Sequence, residues 1–233
     1  MTVRLLKDEI DGVQFYHREG FSDMKTFEEV IGRKCYQKRG MKIEPGEHWM
    51  DAGANVGAFA LFAGARGASV TSYEPDPFNC ELIEKNARLN GFQIEVEQAA
   101  LVADERKTAI MFIGNNQNVW RNSLVKKWND QGLEVPCLNF DAEAAGFEHC
   151  KMDIEGSEMP ILEASEQTFR KLCYEWSFDI DPSLARLWRV IDRQKSQGYR
   201  VEAAWKTICY EDRRFDLWQP SWFPACTNVF CFR

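Results

Sequence analysis

Two groups of residues in this sequence have the types and spacing to do chemistry. The first is Asp51-Ala52-Gly53-Ala54-Asn55-Val56-Gly57, with Glu74 roughly twenty residues downstream. A glycine-punctuated turn between an apolar run and a helix, followed by an acid at the end of the next apolar run, is the layout of a βαβ nucleotide-cofactor site. The second is Lys151-Met152-Asp153-Ile154-Glu155-Gly156-Ser157-Glu158, with Glu175 on the following apolar run. Carboxylates crowded at one strand end raise one another's pKa, which suits a general base.

The glycine turn decides which nucleotide is expected. A dinucleotide site needs G-x-G-x-x-G, so that glycines and a helix N-terminus cradle a pyrophosphate. Here Gly53 and Gly57 bracket Asn55, and the third glycine is absent. Asp51, at the end of the first strand, would oppose a pyrophosphate and suit a cofactor with cationic groups. S-adenosylmethionine (SAM) carries an ammonium, a sulfonium, a carboxylate and a ribose, and no phosphate. Glu74 can accept both ribose hydroxyls, which takes an ionised two-oxygen acceptor. The plainer alternatives are a buried helix N-cap for Asp51 and a solvated loop acid ahead of Pro75 for Glu74. A nicotinamide-dependent dehydrogenase is disfavoured on the same residues.

For methyl transfer to a hydroxyl, the protein must supply alignment and a base. Asp153 or Glu155 is expected to take the proton, or to bind a divalent ion that does so. The competing reading has Asp153 contacting the SAM ammonium, Glu155 holding the loop and Glu158 capping the next helix. Glu175 is a further candidate, with Tyr174 and Trp176 on the opposite face of its strand. His17 and His149 are possible bases, His149 reading as structural because it begins a core strand. No CxxC is present, and His149 and Cys150, as neighbours on a strand, would point opposite ways, so no metal ligand set is indicated. Three stretches could meet a substrate: the basic run Gly32 to Gly40, the polar run Gly114 to Asn118 with Trp120, Arg121 and Asn122, and the aromatic run Trp218-Gln219-Pro220-Ser221-Trp222-Phe223-Pro224. A solvated edge and core packing are the plainer readings of the basic and aromatic runs.

Alternating strands and helices must position these groups. Trp49-Met50 opens the first core strand, Val56 to Arg66 is a small-residue helix, and Ala68 to Tyr73 is the second strand. Pro77 to Gly91 is a helix with proline in its first turn and glycine at its end. Strands are expected at Ile94 to Glu97, Thr108 to Ile113, Glu134 to Asn139, Cys150 to Ile154 and Leu172 to Phe178. Helices are expected at Ser157 to Lys171 and Ser183 to Gln197, with a short helix or turn from Asp141 to Gly146. The last strands, Tyr199 to Trp205 and Asn228 to Arg233, have no helix between them, so the final strand should insert antiparallel. Upstream, Val13 to Tyr16 reads as a short strand, and Asp23 to Gly32 as a helix with a capping box at Thr26 and Glu29. The fold class is α/β: a mostly parallel sheet with helices on both faces. Residues 1–46 form a lead-in packing on the core, and residues 47–233 form the main domain.

Composition narrows the partners. The chain has 233 residues and is 45% hydrophobic, enough for a sizeable core. Lys+Arg 29 against Asp+Glu 36 gives a net charge of -7, unfavourable for sequence-independent nucleic-acid binding. The charged opening MTVRLLKDEID lacks the apolar core of a signal peptide, and no apolar run is long enough for a membrane span. Eight scattered cysteines read as free thiols in a reducing cytoplasm.

The segments DAGANVGAF, YEPDP, AAL followed by Asp104, KMDIEGSE and the ending TNVFCFR resemble the FkbM-type family of SAM-dependent methyltransferases, over roughly Glu44 to Arg233. The resemblance implies a Rossmann-like class I methyltransferase with a seven-stranded sheet and an antiparallel last strand. It implies that Asp51, Gly53, Asn55 and Gly57 line the methionine part of SAM, that Glu74 holds the ribose and that Ala100 and Leu101 lie by the adenine. Asp153 would sit next to the transferring methyl. Ala54 and Pro75 complete the candidate cofactor-binding residues. The acceptor expected is a hydroxyl of a small molecule or saccharide. RNA or protein methylation and a non-catalytic SAM-binding module are the alternatives, and a divalent metal is possible but not indicated.

Overall fold

The computed structural model describes residues 3–37, 40–114, 121–127, 129–178, 180–203 and 226–233. A hairpin of β1 (Leu5–Ile10) and β2 (Val13–Arg18) leads into a short helix, α1 (Asp23–Phe27), which continues as a π-helical turn over Glu28–Gly32. The main body runs β3 (His48–Ala52), α2 (Ala58–Gly64), β4 (Ser69–Tyr73), α3 (Pro77–Asn90) and β5 (Ile94–Glu97). A side sheet follows, β6 (Ala100–Val102), β7 (Thr108–Phe112) and β8 (Gly132–Asn139), then α4 (Phe140–Ala144). The chain returns through β9 (His149–Met152), α5 (Glu158–Ala164), β10 (Lys171–Ser177), α6 (Leu184–Ser196), β11 (Arg200–Ala203) and β12 (Cys226–Phe232).

The seven-stranded sheet has the order β11-β12-β10-β9-β3-β4-β5. β10, β9, β3, β4 and β5 pair in parallel, and β12 runs antiparallel to both β10 and β11, as the closing strand pair predicts. Alternation along the central strands feeds two core layers. Met50, Leu172, Tyr174 and Val229 pack on one face with Leu187 and Ile191 of α6, while Trp49, Cys173 and Phe230 pack on the other with Phe59 and Leu61 of α2. Chain direction across the sheet reverses at β3, with β4 to one side and β9 to the other. The carboxyl ends of β3 and β9 therefore frame the crevice where ligands bind in such sheets.

The lead-in is joined to this body. Phe15, Phe27 and Ile31 belong to the α2-side core layer. Two asparagines of α3 act as a partner strand for β2. Asn86 accepts from Tyr16 N at 2.7 Å and donates to Tyr16 O at 3.0 Å, and Asn90 does the same with Gln14 at 3.1 and 2.7 Å.

Two local expectations are corrected. The helix expected from Ser157 to Lys171 ends at Ala164. Arg193 of α6 donates to the carbonyls of Glu163 at 2.7 Å and Ser165 at 2.6 Å, supplying the partners that a continuing helix would otherwise provide. The capping box at Thr26 and Glu29 does not form. The helix starts at Asp23, whose carboxylate takes Arg18 Nε at 2.8 Å and Nη2 at 2.7 Å in a buried bidentate pair. All seven described cysteines are free, and no described helix is long and apolar enough to cross a membrane.

Candidate active site

β3 and β9 run side by side with Asp51 opposite Lys151. Both side chains are buried: Lys151 Nζ lies 3.0 Å from Asp51 Oδ1 and donates to Gly53 O at 2.7 Å. Burial raises the Asp51 pKa, and the Lys151 ammonium offsets only part of that. Burial acts to lower the Lys151 pKa, but the Asp51 and Asp153 carboxylates outweigh it and hold the pKa above its ordinary value. The charge at Asp51 is thus answered inside the protein, by a lysine of the neighbouring strand.

Past Asp51 the chain turns at Gly53 (φ +76°), and a Cβ there would lie 1.9 Å from Asp153 O. Only glycine allows the turn to rest on the Asp153 backbone, so the two groups of candidate residues are in direct contact. Asn55 also has a left-handed backbone (φ 51°), and Gly57 opens α2 at φ 82°.

Glu74 follows β4 and is buried. Its Oε2 accepts from Asn55 N at 2.7 Å, and its Oε1 accepts from Asp76 N at 2.9 Å and Asn79 Nδ2 at 3.3 Å. Burial pushes its pKa up to about 7 against those donors. The carboxylate is therefore fixed across the glycine turn and the start of α3, where Asp76 caps the helix.

A cavity of about 250 Å³ opens at these strand ends. Glu74, Pro75, Asn79, Ala100 and Leu101 line one part of it, and Gly53 and Asn55 line it at the turn. Asp153, Glu155 and Glu175 line another part, together with Tyr36, Glu29 and Cys35 from the lead-in. One carboxylate oxygen each from Asp153, Glu155 and Glu175 lies within 4.8 Å of the others, a spacing that could also seat a divalent cation. Burial, then Asp153, then Glu175 push Glu155 up to about 10, and burial followed by Asp153 pushes Glu175 up to about 8. Glu155 sits in the left-handed region (φ 50°), and its carbonyl accepts from the Ser123 hydroxyl. Glu158 pins the same loop, with Oε1 accepting from Ile154 N at 2.6 Å and Oε2 from Gly156 N at 2.8 Å.

The structure therefore separates the expected site residues. Gly53, Asn55, Glu74, Pro75, Ala100, Leu101, Asp153, Glu155 and Glu175 line the cavity, while Asp51, Ala54 and Gly57 are not among its lining residues. His17 pairs with Asp8 on the hairpin at 2.8 Å, and His149 stacks on Trp49 at 5.1 Å between centroids; neither reaches the cavity. Arg121 and Asn122 line it, whereas the runs 115–120 and 218–224 lie outside the described residues. Sequence reasoning missed Lys151, Tyr36 and Asn79. A lysine inside an apolar strand was a signal for the first; Tyr36 falls in the basic run read as a possible substrate surface, with nothing to single out the tyrosine, and Asn79 carries no signal.

The strand order, the antiparallel β12 and a cavity at the carboxyl ends between a glycine turn and an acid-tipped β4 define a Rossmann-like class I methyltransferase fold. The family model of the methyltransferase FkbM domain matches residues 51–201, and the chain belongs to that family. A curated relative, the 31-O-demethyl-FK506 methyltransferase FkbM of Streptomyces tacrolimicus, is 35% identical over 94 residues, covering 40% of this chain and 32% of that protein. The tRNA (uracil(54)-C(5))-methyltransferase of Pyrococcus furiosus is 27% identical over 136 residues, covering 56% of this chain and 31% of that protein. This chain thus spans about a third of the length of the curated relatives it matches. Among solved structures, the Thermus thermophilus 16S rRNA N2 G1207 methyltransferase with AdoMet and guanosine aligns at TM-score 0.49 and 11% identity, covering 100% of this chain and 51% of that one. The Pyrococcus abyssi tRNA (uracil-54, C5)-methyltransferase with S-adenosyl-L-homocysteine aligns at 0.48 and 15%, covering 97% and 43%.

Proposed function

We propose that this chain binds SAM in the cavity and directs its methyl group to a hydroxyl of a small molecule or saccharide. The observation that carries the reading is one continuous cavity joining Glu74, Ala100 and Leu101 to the Asp153, Glu155 and Glu175 cluster. The residues fit the cofactor. Asn55 and Asn79 each keep a buried Oδ1 with no partner among the described residues, as a site awaiting hydroxyl or amine donors would. Both oxygens of Glu74 are oriented by N–H donors; Oε2 takes one and keeps a lone pair for a ribose hydroxyl, while Oε1 takes Asp76 N and the longer Asn79 bond that a second hydroxyl would displace. Ala100 and Leu101 offer an apolar surface to the adenine.

When bound, SAM supplies the electrophilic methyl on a sulfonium; the chain supplies position and proton handling. Burial and the neighbouring Asp153 keep Glu155 and Glu175 protonated at neutral pH, outweighing the opposing Arg121 charge on Glu155 and the Cys226 hydrogen bond on Glu175. A positive charge brought beside them favours the ionised form, leaving a carboxylate to accept the acceptor hydroxyl's proton. The FkbM relative from Streptomyces tacrolimicus supports an oxygen acceptor. The tRNA methyltransferase relative supports a second reading, an RNA acceptor, but a cavity lined with carboxyls and a net charge of -7 oppose phosphate. Incubation with methyl-labelled SAM and the host's metabolite extract, read by mass, tests the first reading. Labelled small-molecule or saccharide ether supports it. Label only in RNA, with steep salt dependence, overturns it.

A further inference from the structure

We infer that Tyr36, in the lead-in and outside the matched family segment, is the residue that positions Asp153 for the reaction; this rests on the SAM-binding reading above. The Tyr36 hydroxyl donates to Asp153 Oδ2 at 2.8 Å across 117 residues of chain. Among the described residues Tyr36 supplies the hydrogen bond that orients the Asp153 carboxylate, while the Lys151 ammonium acts on it through charge. The ring is itself held: it is buried, meets Phe59 of α2 edge-on at 5.6 Å and 88°, and lies 5.7 Å from Lys151 Nζ. Burial, then the neighbouring Asp153 charge, push the Tyr36 pKa well above its ordinary value, so the phenol remains a donor at every working pH.

The backbone already fixes where Asp153 stands. Its N–H donates to Ala52 O at 3.0 Å, and its carbonyl lies under Gly53. What the backbone leaves open is the side-chain rotamer, and through it the direction of Oδ1. A carboxylate free to swing would also change how strongly Asp153 raises Glu155 and Glu175, for each of which it is the largest charge effect after burial. Tyr36 therefore couples the lead-in to the charge state of the whole cluster. Glu29 belongs to the same arrangement: it lines the cavity, and burial followed by Asp153 raises its pKa.

The test is Tyr36→Phe, which keeps the ring against Phe59 and removes only the hydroxyl. SAM affinity, measured by calorimetry, should fall about tenfold or more, as for loss of a hydrogen bond to a charged group. In an Asp153→Asn background, Tyr36→Phe should change SAM affinity less than twofold, because its partner is gone. A purely structural role predicts equal effects in both backgrounds, and that result overturns the assignment even if the single variant folds poorly. Wild-type protein that does not bind SAM would instead overturn the functional reading on which this rests.

Discussion

Replacing Glu155 with glutamine should raise stability and destroy turnover, because the residue is costly to the fold and useful to the site. Glu155 would ordinarily lose its proton near 4.5, but burial and its neighbours Asp153 and Glu175 push it up to about 10. At pH 7 the folded carboxyl keeps a proton that the unfolded chain has released. That difference costs about 1.4 kcal/mol for each pH unit, or roughly 3 kcal/mol between 4.5 and neutrality. Part of it passes to Glu175, which also ionises differently once Glu155 is gone, so the expected gain is about 1–3 kcal/mol. For a domain of this size that is roughly 2–10 °C in Tm. The sign with pH is definite. A folded pKa above the unfolded one leaves the wild type least penalised below about 4.5 and progressively penalised as pH rises towards 10. The stability advantage of Glu155→Gln should therefore widen from pH 5 to pH 9 in urea titrations. Turnover should drop about 10²–10⁴-fold if the carboxylate is the general base. A variant that is less stable than wild type at pH 8, or one that turns over normally with unchanged pH dependence, refutes the reasoning.

Other residues give sharper structural tests. Lys151→Met should cost about 3–5 kcal/mol by stranding Asp51, and most of that should return in the double variant with Asp51→Asn; chemical denaturation of the three variants reads it. Gly53→Ala places a Cβ against Asp153 O in a backbone region hostile to L side chains, so a loss on the order of 3 kcal/mol or more is expected, visible as a collapsed urea midpoint. Glu74, raised to about 7, contributes fold stability below about 4.5 that is lost as pH rises through 7, whereas its ribose contact needs the ionised form. SAM affinity should therefore rise from pH 6 to pH 8, and Glu74→Gln should flatten that profile in calorimetry.

The fold was legible because its signals are local and periodic. Gly53, Gly57 and Glu74 mark a strand-turn-helix-strand unit, and two closing apolar runs with no helical pattern read between them in the sequence announce the antiparallel β12. The cavity wall around Glu74 and Asp153 was legible for the same reason, since both acids stand at strand ends. Asp51 was harder. Its charge pointed to a cationic ligand, yet its partner, Lys151, comes from a strand about a hundred residues away that only sheet order brings alongside. The role of Tyr36 was invisible, because the basic run around it pointed to a substrate surface and nothing marked a tyrosine that reaches Asp153 across 117 residues of chain. The premature end of α5 is similar, because Arg193, which supplies its carbonyl partners, lies on another helix.

Titrating SAM into the wild-type protein and into Glu74→Gln by calorimetry tests most directly whether Glu74 and the glycine turn hold this cofactor. Saturable binding at one site per chain is expected, weakened about tenfold or more in the variant, with no heat from NADH. Binding of NADH without SAM, or undiminished SAM binding by Glu74→Gln, would contradict it.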